Sequence, residues 1–184
     1  MIIGITGTDG AGKGAVVDFL VKEKGFTHIS SRDTINIELE KEGIEKTRNN
    51  MRLKANQMRA QFGDDVLVAK AYERIEQEGI ENAVVESLRA AAEAVTLKQK
   101  GGILLAIDAD QKLRYERVQG RRSSSDKVTF EQFMEHEQME MNDPDPHGMQ
   151  KAKVMEMADH TIMNDGSFKE LHRKIEEFLA AIDK

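Results

Sequence analysis

The chain has 184 residues, a formal net charge of −6 and no cysteine, so disulfides and thiolate metal sites are excluded. Charged residues make up 33% of it with acids in excess, which argues against a general nucleic-acid-binding surface; any polyanion site must come from local arginine clusters. No apolar run approaches membrane-spanning length and no leader pattern precedes the first strand, so the expectation is a cytoplasmic single-domain protein that engages neither membrane nor nucleic acid.

The apolar run Ile2-Ile3-Gly4-Ile5 opens the chain as a buried strand and leads into Gly7-Thr8-Asp9-Gly10-Ala11-Gly12-Lys13-Gly14. Glycines there let successive backbone N–H groups face phosphate oxygens, and the helix that follows, with Val16, Val17, Phe19 and Leu20 as its apolar side, adds a partial positive charge. Lys13 would reach the outer phosphates of a nucleoside triphosphate. Further strands are expected at about 27–30, 82–87, 102–107 and 160–163, giving a five-stranded parallel sheet wrapped by helices in a three-layer α/β sandwich of the P-loop type. Between the second and third strands, roughly 33–80 is helical and too long for one crossover, so it should fold back as a subdomain beside the sheet. A second insertion, about 120–150, holds both prolines (Pro144 and Pro146) and the polar stretch Arg121 to Asp126, expected to be mobile. The final helix should start at Ser167 with Glu170 completing a capping box, and bury Leu171, Ile175, Phe178, Leu179 and Ile182.

Ligands of such sheets bind at the carboxyl ends of the strands, and polar residues cluster there. After the second strand come Ser30, Ser31, Arg32 and Asp33; after the third, Glu86 and Arg89; after the fourth, a helix with Arg114, Arg117 and Arg121 on one face. Arg48, Arg52 and Arg59 share a face within the first insertion, either as a solvated surface or as cations for an acceptor phosphate. Arg89 is the better candidate for that phosphate, because its planar fork suits bidentate binding. Arg117, Arg121 and Arg122 border the polar stretch and could close over a migrating phosphoryl group. Asp9 could bind an acceptor hydroxyl, hold a metal-bound water, take a proton, or merely form the turn. Glu86 could orient a hydrated Mg²⁺. Neither Gly14 nor Ala15 carries the hydroxyl that usually ligates that ion, so the metal would rely on waters and on Asp9 or Glu86. Three patterns are set aside: His136-Glu137 lacks a second zinc-site histidine, Asp145-Pro146-His147-Gly148 follows no strand, and Met134, Met139, Met141, Met149, Met155 and Met157 are read as packing under the second insertion.

With those residues in view, the chain resembles the P-loop nucleotide kinases (adenylate, thymidylate and dephospho-CoA kinases), closest to the dephospho-CoA-kinase-like or adenylate-kinase-related proteins of archaea, over nearly its whole length. The Gly7–Gly14 loop looks like that of adenylate kinases, with Ala15 in place of the usual threonine, and Asp9 sits where thymidylate kinases carry an aspartate that contacts the acceptor sugar. Ser30 to Asp33 is similar to the Ser-Thr-Gly-Asp that opens the monophosphate-binding segment, with Asn36 where an arginine is usual. Thr47-Arg48-Asn49-Asn50, Arg59 and Gly63 look like the archaeal helical acceptor subdomain. Glu86-Ser87-Leu88-Arg89 is similar to Asp-Gly-x-Arg, and Arg114, Arg117, Arg121 and Arg122 match lid-border arginines. The run Ala158 to Ser167 resembles the dephospho-CoA kinase ending, whose loop, here with Asn164 and Gly166, lies beside the ATP adenine. Asp108-Ala109-Asp110 follows the fourth strand, not the second as in bacterial dephospho-CoA kinases.

The resemblance implies an ATP- and Mg²⁺-dependent phosphotransferase in nucleotide metabolism, with loop residues Asp9 to Ala15 on the donor. Ser31, Arg32, Asp33, Arg48, Arg52 and Arg89 would lie on the acceptor. A nucleoside monophosphate is the first acceptor expected and dephospho-CoA the alternative. A regulatory ATPase without an acceptor is the reading from another class.

Overall fold

A computed structural model describes residues 1–120 and 128–183. Its five strands are β1 (Ile2–Gly7), β2 (Thr27–Ser30), β3 (Ala83–Glu86), β4 (Ile103–Asp108) and β5 (His160–Met163), all parallel, in the order β2-β3-β1-β4-β5. Each expected strand is present, with no end moved by more than one residue. The three central strands are continuous apolar runs because both faces are covered: Ile3, Ile5, Val84, Val85, Leu104, Leu105 and Ile107 are fully buried.

On one face, α1 (Lys13–Lys24) and α9 (Phe168–Ile182) pack Phe19, Leu20, Leu171, Ile175 and Phe178 against the sheet, with Leu179 and Ile182 at the margin. The α9 cap forms as expected: Ser167 Oγ accepts the Glu170 amide, and the Glu170 carboxylate accepts the Ser167 amide. On the other face, α4 (Val66–Glu78), α5 (Ala91–Gln99) and α8 (Lys151–Glu156) contribute Val68, Tyr72, Ile75, Leu97 and Val154. The first insertion folds back as α2 (Ser31–Lys41), α3 (Arg48–Phe62) and α4 around a small core of Ile35, Leu39, Ala55, Met58, Val66 and Leu67. After α6 (Gln111–Gln119), the described part of the second insertion contains α7 (Phe130–Met141), started by a Thr129–Gln132 capping box.

The methionine reading needs correction. Met149 is buried, but Met134 and Met139 are 40% and 48% exposed on α7 among the described residues. The stretch from Arg121 to Asp126 lies outside the described residues.

Candidate functional site

The loop after β1 opens at the centre of the sheet, between β3 and β4, and its glycines are fixed by what surrounds them. Gly12 caps α1 with φ +97°, and a Cβ there would stand 2.4 Å from Asn164 Nδ2. Gly10, at φ +83°, would drive a Cβ to 2.4 Å from the Arg114 carbonyl oxygen. The amides of Ala15 and Val16 turn back to the Gly12 carbonyl, while those of Lys13 and Gly14 find no acceptor among the described residues. Two N–H groups at a helix mouth are thus left open, the arrangement that binds phosphate oxygens. Lys13 Nζ donates to the carbonyls of Gly7 and Thr8 at 2.9 and 2.7 Å, folded over the loop.

Four cations meet two carboxylates at this loop. Asp9 Oδ1 lies 3.3 Å from Lys151 Nζ and 3.7 Å from Lys13 Nζ, and Asp9 Oδ2 accepts from Arg48. Glu140, from α7, accepts from Arg48 at 2.9 Å and Lys151 at 2.7 Å, and lies 3.5 Å from Arg89. Lys151 and Glu140 are both buried. Burial alone would raise the pKa of Asp9, but Lys151, Lys13, Arg89 and Arg48 outweigh it and hold the carboxyl well below its ordinary value. Glu140 is lowered by Lys151, Arg89 and Arg48 against its own burial and the nearby Asp9. Lys13 moves the other way: burial, with Lys151 and Arg89 adding to it against Asp9 and Glu140, brings it down to about 8.

Arg48 and Arg89 therefore join the loop as the sequence suggests. Other residues do not. Arg52 reaches Asp143 at 3.1 Å in the turn before α8, where Asn56 also holds Asp145 at 2.9 Å and Asp64 meets His147 at 2.7 Å. Arg59 shares a helical face with Arg48 but is buried against Glu93, a structural pairing. Arg117 donates to the Asn164 carbonyl at 2.9 Å instead of facing the loop, and Arg121 and Arg122 lie outside the described residues. Asn164 spends its amide on the Ala11 carbonyl at 2.7 Å, so it braces the loop from behind. At Gly166 a Cβ would come within 2.1 Å of the Glu170 carboxylate, so the α9 cap accounts for that glycine. Glu86 lies 3.1 Å from His28 Nε2, across the β2–β3 edge. Arg32 and Asp33 are exposed, and Ser31 is buried at the start of α2. Asn36 keeps its Oδ1 buried without a partner among the described residues.

The sequence offered no role at the loop for Lys151, nor for Glu137 and Glu140, which entered only in the set-aside pattern around His136. Glu137 holds both terminal nitrogens of the buried Arg114, whose Nη1 also donates to the Asp9 carbonyl at 3.3 Å. Their partners lie far away in the chain, and the only available signal was, for Glu137 and Glu140, an acid on an amphipathic helix.

Residues 3–145 match the AAA domain family (AAA_18). A UPF0200 protein of Pyrococcus horikoshii is 32% identical over 190 residues, spanning 99% of this chain and 97% of the relative. One from Methanocaldococcus jannaschii is 28% identical over 185 residues, spanning 99% and 90%. Among solved structures, shikimate kinase from Acinetobacter baumannii in complex with shikimate superposes with a TM-score of 0.60 at 19% identity, over 98% of this chain and 93% of its own. Shikimate kinase from Bacteroides thetaiotaomicron gives 0.66 at 12% identity, over 98% of each. At such identities the neighbours establish a shared P-loop kinase-like fold and nothing about an acceptor.

Proposed function

This chain belongs to the UPF0200 protein family and to the AAA domain family, and on that premise we propose that it is an ATP-dependent kinase acting on a small nucleotide-type acceptor. A nucleoside monophosphate is the acceptor to test first and dephospho-CoA the second. One observation carries the reading. Within the Asp9–Glu140 cluster, four cations (Lys13, Arg48, Arg89, Lys151) face two carboxylates, a surplus of two positive charges in a mostly buried setting, beside which Arg114 is paired with Glu137 and lies 3.6 Å from Asp108. A donor triphosphate and an anionic acceptor would supply the missing negative charge, and phosphoryl transfer depends chiefly on such positioning and neutralisation.

The open amides of Lys13 and Gly14, with the Lys13 ammonium, would hold the donor phosphates. Arg48 and Arg89 would hold the acceptor phosphate. Asp9, held ionised at low pKa, suits a fixed anion that orients an acceptor group or a metal-bound water better than a proton acceptor, whose pKa should lie near the working pH. Residues 33–80 then form the acceptor side and 120–150 the lid. The unpartnered Asn36 Oδ1 on α2 fits an acceptor that brings a hydrogen-bond donor. Among the described residues no group of three His, Asp or Glu could grip a metal, and Gly14 and Ala15 lack hydroxyls, so Mg²⁺ would ride on ATP phosphates and water near Asp9. When bound, it neutralises charge between the β- and γ-phosphates.

The test is to incubate the protein with γ-labelled ATP and a panel of nucleoside monophosphates, deoxynucleotides, dephospho-CoA and shikimate. Label on a nucleotide supports the reading and should vanish in Lys13→Ala. ATP loss with no labelled acceptor would instead establish a regulatory ATPase.

A further inference from the structure

Lys151 belongs to no motif, yet it is the most enclosed cation of the cluster, with its side chain 3% exposed. It opens α8, whose preceding residue Gln150 donates its amide to the Arg89 carbonyl at 2.7 Å, so Lys151 and Arg89 are presented by one rigid junction. Its ammonium bridges the two carboxylates, 3.3 Å from Asp9 Oδ1 and 2.7 Å from Glu140 Oε2. Lys13 approaches the same Asp9 oxygen at 3.7 Å. A lysine buried for stability alone needs one carboxylate, and burying a second ammonium beside the first is unfavourable. Charge repulsion from Lys151 is indeed one of the causes that lower Lys13.

Glu140 has the complementary peculiarity. Its single carboxylate is surrounded by Arg48 at 2.9 Å, Lys151 at 2.7 Å and Arg89 at 3.5 Å. Three cations converging on one planar anion make the seat that a phosphoryl group would fill with its oxygens.

The geometry points to Glu140 as a built-in anion occupying the acceptor's phosphoryl seat, and to Lys151 as a further catalytic residue that contacts the migrating group once an acceptor phosphomonoester displaces that carboxylate. This rests on the kinase reading above and deepens it. In the transfer, an oxygen of the acceptor phosphomonoester dianion forms a bond to the γ-phosphorus. The bond to the β–γ bridging oxygen breaks and leaves its electron pair on ADP. The dianion has no proton to lose, and Lys151 keeps its own throughout, donating hydrogen bonds between the donor loop and the acceptor seat. Lys151 thus shares the neutralising role that the sequence suggests for Arg117, Arg121 and Arg122, of which Arg117 instead donates to the Asn164 carbonyl.

The experiment uses the full chain and inorganic phosphate as the probe, titrated by calorimetry with and without saturating ADP and Mg²⁺. Glu140→Gln should tighten phosphate binding by about tenfold, because the competing charge is gone while the shape remains. Lys151→Met should weaken phosphate by about tenfold and Lys151→Arg should restore part of it. With the best acceptor of the panel, Lys151→Met should lower kcat by about 100-fold while the KM for ATP stays within about threefold. A purely structural pair would give weaker phosphate binding in Glu140→Gln, and that result overturns the proposal. So does a Lys151→Met enzyme with an unchanged kcat. If Lys151→Met does not fold, the Glu140→Gln and Lys151→Arg titrations decide alone. Failure of the wild type to bind ADP would remove the kinase reading, while the ADP-free titrations would still show whether Glu140 sits in an anion seat.

Discussion

Arg59 on α3 and Glu93 on α5 form an ion pair in which each side chain is only 1% exposed. Nε and Nη2 of Arg59 donate to one carboxylate oxygen at 3.3 and 2.9 Å, and the other oxygen accepts the amides of Arg89 and Ala90 at 2.7 and 3.0 Å. A single carboxylate therefore ties the folded-back helices to the strap that carries Arg89. The pair ties α3 to α5 and to the turn after β3 without itself reaching the loop.

Removing one member of a fully buried pair strands the other charge, which costs far more than the pair contributes. Arg59→Leu should lower unfolding stability by about 3–5 kcal/mol. Urea denaturation followed by circular dichroism measures this directly. A loss below about 1 kcal/mol, the value typical of an exposed pair, would show that water enters and that Glu93 is not isolated.

Ser87 stands between Glu86 and Arg89 with φ +75°, the one described non-glycine residue at positive φ. The turn is dictated by its surroundings: the amides of Ser87 and Leu88 both reach the Ile5 carbonyl at 3.1 Å, and Thr6 Oγ1 donates to the Leu88 carbonyl at 2.9 Å. A left-handed conformation costs an L-residue about 1–2 kcal/mol. Ser87→Gly should relieve that strain and, after the greater freedom of glycine in the unfolded chain is subtracted, stabilise by about 0.5 kcal/mol. Ser87→Val should destabilise by about 2 kcal/mol, since a β-branched residue tolerates this region worst. Equal stability of the two variants in a thermal melt would contradict the backbone argument.

The sheet was legible because β1, β3 and β4 are unbroken apolar runs and each is followed by a turn signal. The loop was legible for a local reason too, since its glycines, lysine and flanking strand lie within a dozen residues. The division of labour among the arginines was not. Helical spacing places Arg48, Arg52 and Arg59 on one face, but their partners are Asp9 and Glu140, Asp143, and Glu93 in turn. A face is a local property; a partner is set by how distant elements pack. For the same reason Lys151 passed unnoticed, its acid partners lying before the first helix and on α7.

Lys13 gives the site a pH dependence whose sign can be worked out. Its value is lowered from 10.5 to about 8 in the folded protein, so keeping it charged weighs against folding below about pH 8, and this group alone makes stability rise from there to about 10.5. Asp9 has the same sign at the acid end: its depressed pKa contributes stability above the ordinary carboxylate range, lost as the pH falls through the folded value. Bound phosphates would raise Lys13 again. Nucleotide affinity should therefore be flat below about pH 8 with respect to this group and fall by up to tenfold per unit above it, about one proton being taken up at pH 9. Calorimetry in buffers of different ionisation enthalpy reads that proton. An affinity that rises between pH 8 and 9 would place Lys13 away from the phosphates.

Two glycines of the loop, one on either side of Lys13, should respond very differently to substitution. At Gly12 the backbone sits at φ +97°, and a methyl group would meet Asn164 Nδ2 at 2.4 Å, breaking that amide's hold on the Ala11 carbonyl. Gly12→Ala should weaken ATP binding by about 100-fold through loss of the loop's shape, because phosphate must approach the bare backbone. At Gly14 nothing lies within 4 Å of an added Cβ. Gly14→Ser should leave stability within about 0.5 kcal/mol, as at an ordinary surface position. If Mg²⁺ rides on the bound phosphates as proposed, the new hydroxyl would offer it a ligand, and half-maximal nucleotide binding should need less Mg²⁺ than in the wild type. Titrations of a fluorescent ATP analogue at several Mg²⁺ concentrations separate the two effects. If Gly14→Ser instead abolished binding, the mouth of α1 would be closed to a side chain that the geometry leaves room for, and the donor phosphates could not lie where the open amides point.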